Sequence, residues 1–173
     1  MSGMNAQPSG AAFDVVLLAH VACVLVGLAT VAASTATAVR LRRLLGTAVA
    51  VPEAIVRYMK PGVNWAGRLI YGIPVFGVVL LAMSHGAYSF RDDWVMSGLA
   101  IFVVVALVAE GLLWPAERRA AETLAARTQV ADAPSDADRG DADLGRDAKI
   151  MVWAGSGTVV LLLVGTALMV AQP

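Results

Sequence analysis

The hydrophobic positions of the chain fall into four long blocks. They do not show the short alternations of surface strands or the one-sided stripes of soluble helices. The first block, residues 15–39, runs for 25 residues without a charge and is followed at once by Arg40-Leu41-Arg42-Arg43. As a helix rising ~1.5 Å per residue, it crosses the ~30 Å hydrocarbon layer with length left for tilt. The second block covers about 65–84, with Pro74 near its middle between Gly72 and Gly77, where a kink is expected. The third, 94–114, is bracketed by Trp94 and Trp114 in the manner of interfacial belts. The fourth, about 150–171, opens with Trp153 and the small-residue patch Ala154-Gly155-Ser156-Gly157. The pattern predicts an all-α polytopic membrane protein, with four transmembrane helices in an antiparallel bundle.

Polar segments separate the blocks. Residues 1–14 are small and polar and predict a disordered outer tail. The loop 41–64 is basic and contains VPEAIVRYMKPG, which predicts a short helix. Pro52 suits its first turn, Glu53 sits at the positive end of its dipole, and Pro61-Gly62 ends it. Ile55, Val56 and Met59 would share one face, which is expected on the inner membrane surface. HGAYSFRDD forms a short outer loop, and WPAERRAAETLAAR predicts a helix emerging into the cytoplasm. Residues 128–147 are acidic and rich in Ala, Asp and Gly, and predict a disordered cytoplasmic loop.

Composition sharpens this picture. The chain is 58% hydrophobic and 15% charged, with a formal net charge of zero. A nucleic-acid partner is therefore not implied, and the lipid bilayer is the first partner expected. The zero conceals an asymmetry. Of 13 basic residues, 12 lie in the two segments assigned to the cytoplasm (Arg40, Arg42, Arg43, Arg57, Lys60, Arg68, Arg118, Arg119, Arg127, Arg139, Arg146, Lys149), leaving Arg91 outside. The positive-inside rule then places both termini outside. No basic residue precedes the first block, so it is expected to be a retained span rather than a secretory signal. A lone cysteine, Cys23, excludes an internal disulfide.

Few residues could carry chemistry. His20 lies about five residues inside the outer boundary, and His85 ends the second span on the same side. Side chains tilt toward a helix's amino end, so the two imidazoles would lean toward each other from different depths. Such a pair could ligate a haem or a copper ion, with Cys23 and Met83 as soft ligands for copper. Hydrogen bonding and core packing are the competing account of all four residues. Glu110 and Arg68 are charges near the inner boundary, expected to be paired or neutralised there, with a proton relay as the functional alternative. Ser34, Thr35 and Thr37 suit close helix packing. The dinucleotide, phosphate-loop, CxxC and HExxH motifs are missing from the sequence, and neither histidine has a partner suited to a nucleophilic triad.

Three segments resemble a family: LLAHVACVLVGLATVAAS, then PGVNWAGRLIYGIPVFGVVLLAMSHGAYSF, then DDWVMSGLAIFVVVALVAEGLLWPAERR. Together they look like the bacterial predicted integral membrane proteins of domain-of-unknown-function family 2269. The resemblance implies a four-helix bundle in the bacterial inner membrane and carries no established activity. More distantly, the first-span histidine is similar to that of the CopD copper-resistance proteins and the HemJ-type haem-pathway oxidases. That similarity implies a haem b or copper role, with His20 as the matching position; Val26-Gly27 stands where those families would have tryptophan-glycine. The expected function is a non-enzymatic scaffold or accessory subunit, meeting other membrane subunits or itself. A haem- or copper-binding protein using His20 and His85 is the alternative, and a small proton-coupled exporter is the third.

Overall fold

Every regular element is helical among the residues that this computed structural model describes, namely 10–45, 47, 50–62, 64–129 and 137–171. Helix α1 spans Ala11–Leu44, and α2 is the short Glu53–Tyr58. Helix α3 (Trp65–Arg68) passes through a 3₁₀ turn (Leu69–Tyr71) into α4 (Gly72–Met83). Helix α5 (Asp93–Val108) passes through a π turn (Ala109–Leu113) into α6 (Trp114–Gln129), and α7 covers Ala137–Val170. Four stretches are long and apolar enough to cross a membrane: Ala11–Leu44, Trp65–Met83, Asp93–Arg127 and Gly140–Val170. Only 17–33% of the most apolar window of each is buried. Leu18, Leu25, Leu107 and Val160 are 57–69% exposed, which suits contact with lipid and not with water.

Lipid offers no hydrogen bonds, so most threonine hydroxyls of the spans are satisfied within their own helix. The hydroxyls of Thr30, Thr35, Thr37 and Thr166 each donate to the carbonyl four residues earlier, at 2.7–2.8 Å. Pro74 removes the N–H that would bond Ile70, and its ring displaces that carbonyl. The helix answers with the 3₁₀ turn over Leu69–Tyr71, so the irregularity lies before the proline and not around it. Pro115 acts likewise on the carbonyl of Gly111, and the π turn over Ala109–Leu113 carries the helix past it. Asn64 starts α3 by accepting a hydrogen bond from the Gly67 amide at 3.1 Å.

The described residues form two compact units. One comprises Met1–Thr30, Asn64–Val104 and Leu161–Pro173; the other comprises Val31–Val63 and Val105–Val160. In the first, α4 runs antiparallel to α1, with Ile70 against Gly27, Gly72 against Cys23 and Gly77 against His20. Helix α7 likewise runs antiparallel to α5, Met169 meeting Gly98 and Gly165 meeting Ile101. Tyr71 stacks edge-on to Phe102, and Tyr88 edge-on to Trp94. In the second unit, α7 runs antiparallel to both α1 and α6. Gly155 packs on Thr35 and Leu113, and Leu41, Ala38, Leu144 and Met151 have no exposed surface.

Two expectations change. The segment 128–147 is not a disordered loop throughout: α6 continues to Gln129, and α7 begins at Ala137 instead of near Ile150. Leu144, Asp147 and Ala148 are buried, and two ion pairs join the helices: Arg119–Asp147 at 2.9 Å and Arg127–Asp141 at 2.5 Å. Burial and pairing of these residues offset the ordering entropy that their composition would leave unmet. Residues 130–136 lie outside the described residues. The outer tail 1–14 is also shorter than expected, since Ala11–Asp14 belong to α1; residues 1–9 lie outside the description. The apolar face of α2 (Ile55 and Met59, 6% and 2% exposed) packs against α6.

Candidate functional site

On α1, His20, Cys23 and Gly27 are spaced three and four residues apart and so share one face. Glycines opposite let the helices come close. A Cβ at Gly72 would lie 2.5 Å from the Cys23 sulfur, and one at Gly77 would lie 3.5 Å from His20 Cε1. His20 is 7% exposed and its ring lies beside the backbone of Ile73. Its Nδ1 is buried without a hydrogen-bond partner. Orphaned polar atoms of this kind are uncommon in membrane interiors, where no water compensates them.

The structure places His85 differently. It is exposed, in the turn that leaves α4, with φ +50° followed by Gly86 at +88°. This is the left-handed exit that glycine usually takes after a helix. The turn is held by Ser84, whose Oγ donates to the Leu81 carbonyl at 2.7 Å and accepts from the Tyr88 amide at 3.2 Å. Gly77 touches His20, and His85 follows it by about eight residues, or ~12 Å of helical rise. The candidate ligands thus form two pairs: His20 with Cys23 buried between α1 and α4, and Met83 with His85 where α4 ends. At Gly27, Gly72 and Gly77 the two helices are in close contact, so a haem has no room between them at those positions. Among the described residues, no group of three or more His, Cys, Asp and Glu side chains could hold a metal ion.

Glu110 sits in the π turn with its side chain exposed, and Gly111 beside it has nothing within 4 Å of where a Cβ would be. Glu110 and Arg68 each have an interaction partner.

Two further polar groups escape a reading by residue type. Ser34 and Thr158 are 2% and 0% exposed, and neither hydroxyl has a hydrogen-bond partner. The other threonines of these spans bond back to their own helix, so only the packed structure separates the two kinds. The ion pair of buried Asp147 with Arg119 is equally invisible in the sequence, 28 residues apart. Outside the spans, partial burial of the Tyr58 phenol, reinforced by the negative charge of Glu117, pushes it up to about 12. Tyr58 is neutral at any physiological pH.

The chain matches no known protein-family model, no curated protein and no solved structure.

Proposed function

We propose that this chain is a non-enzymatic scaffold or accessory subunit of a bacterial inner membrane that associates with other membrane subunits or with itself. One observation carries the reading. Ala29, Ala32, Ala33 and Ala36 are all exposed on α1, at the three- and four-residue spacing of a single stripe. Interleaved small-xxx-small pairs within a span let a second helix approach closely enough for backbone packing. Leucine at Ala32 and Ala33 would hold that helix away while adding only apolar surface. In detergent, the wild-type chain is expected to run as a dimer or to retain a membrane partner, and Ala32→Leu with Ala33→Leu to release it without loss of helicity. Light scattering coupled to size exclusion reads this out; a chain that is monomeric and alone before and after the substitutions overturns the reading.

Both termini face outside, a reading that rests on the 12 basic residues assigned to one side against Arg91 on the other. Labelling of intact cells with an impermeant thiol reagent tests it in a Cys23→Ser background. Phe90→Cys should react, and Ala142→Cys only after permeabilisation. The reverse pattern would exclude this orientation.

The orphaned Nδ1 of His20 favours a second reading, in which the imidazole and the Cys23 thiolate on the same helix face hold copper. An imidazole and a thiolate suit a soft Cu(I) ion. Haem ligation by His20 and His85 would need α1 and α4 to part.

A further inference from the structure

A groove of about 270 Å³ opens between α2 and α6. Val56, Met59, Leu124 and Ala125 give it apolar lining, and the charged residues that line it are Glu53, Arg57 and Lys60. Arg57 shares one N–H with Glu53 at 2.7 Å, which leaves its other donors to spare. Lys60 is exposed and, among the described residues, has no carboxylate partner. The depth of the groove follows from the packing of the same unit. Thr35 meets Gly155 and Leu45 approaches Gly145, so Arg40 on α1 is level with Ile150 on α7. There the apolar runs of both helices end in charge. On α6 the same level falls between Leu113, which packs on Gly155, and Arg119, which bonds Asp147. The lining residues Ala121, Leu124 and Ala125 lie about four to eight residues further, or ~6–12 Å beyond the hydrocarbon edge. The headgroup layer extends roughly 5–7 Å beyond the hydrocarbon on each side, so Ala121 lies in its outer part and Leu124 and Ala125 just beyond it.

We infer that this groove binds the headgroup of an anionic phospholipid, its phosphate on Lys60 and Arg57 beside the apolar floor. A cation without a carboxylate, beside an apolar floor that begins in the headgroup layer, suits a lipid headgroup, whereas a water-soluble anion would need no such floor. Lipid binding here does not depend on the chain having a protein partner.

Native mass spectrometry of the full chain in mild detergent, titrated with phosphatidylglycerol or phosphatidylcholine, tests the site. The wild type is expected to retain phosphatidylglycerol in preference. Lys60→Gln should weaken retention about fivefold, the effect of one positive charge near a membrane surface, and Lys60→Arg should keep it. Ala125→Trp, which fills the floor, should weaken it without touching charge. Circular dichroism of each variant distinguishes lost binding from lost fold. Arg42→Gln removes an exposed cation of the same basic region outside the groove and should leave retention unchanged. Equal loss in Arg42→Gln and Lys60→Gln would mean a diffuse basic belt and overturn the site, as would undiminished retention in Lys60→Gln. Displacement of the lipid by inorganic phosphate alone would assign the groove to a free anion and overturn it equally.

Discussion

Gly155→Ala is expected to destabilise the protein by about 2 kcal/mol, although the same change inside an unconstrained helix is worth up to ~1 kcal/mol in the opposite direction. A Cβ at this position would run into Thr35 Oγ1 and lie 3.3 Å from Thr35 Cβ. The Thr35 hydroxyl cannot swing away freely, because it donates to the Val31 carbonyl at 2.8 Å. A turn away would strand that hydroxyl where lipid offers no substitute. The helices must therefore separate, loosening the contact of Gly155 with Leu113 as well. Thr35→Ala removes the obstruction, so the double variant Thr35→Ala with Gly155→Ala should recover most of the loss. Unfolding by a denaturing detergent, followed by circular dichroism, measures all three. A Gly155→Ala protein more stable than the wild type would show that α1 and α7 have slack here.

The second large effect concerns the ion pair between α6 and α7. Asp147 is 6% exposed, and its Oδ1 accepts from Arg119 Nε at 3.0 Å while lying 2.9 Å from Nη2. Removing one member of a fully buried pair costs ~3–5 kcal/mol, because the remaining charge is left uncompensated. Here the Arg119 side chain is 53% exposed, and solvent screens part of the interaction. Arg119→Met is accordingly expected to cost about 2 kcal/mol. Adding Asp147→Asn removes the stranded carboxylate and should restore more than half of that loss. The amino-terminal part of α7 between Gly140 and Asp147 should lose amide protection from hydrogen exchange before the rest of the helix does. If Arg119→Met leaves both stability and exchange unchanged, the carboxylate is hydrated and the pair contributes nothing.

These two sites also mark where legibility in the sequence ends. The four spans are plain from hydropathy because lipid imposes one condition on the backbone: every N–H and C=O must be bonded within the segment, and a helix does that. Length and apolarity therefore specify type and number of elements, and the block 15–39 becomes the centre of α1. Local chemistry is nearly as readable. Pro52 with Glu53 starts α2. The place of Pro74 is visible too, although the strain emerges one turn earlier, at the carbonyl that its ring displaces.

What lay beyond the sequence depends on partners distant along the chain. Residues 137–147 have the composition of a solvated linker, and they are helical because Leu144 and Asp147 find burial and Arg119 against α6. The sequence of α2 assigns its apolar face to the membrane surface, and its packing against α6 is visible only in the fold. His20 and His85 share a side of the membrane by counting residues. Their separation arises because glycines at 72 and 77 draw α4 onto α1, burying one imidazole, while the chain turns out through a left-handed residue at the other. Hydropathy sets which residues enter the bilayer, but within it Leu, Val and Ala are indistinguishable to lipid. Which face meets which helix is decided by close contacts such as Gly27 with Ile70 and Gly155 with Thr35, and those exist only once the helices have met.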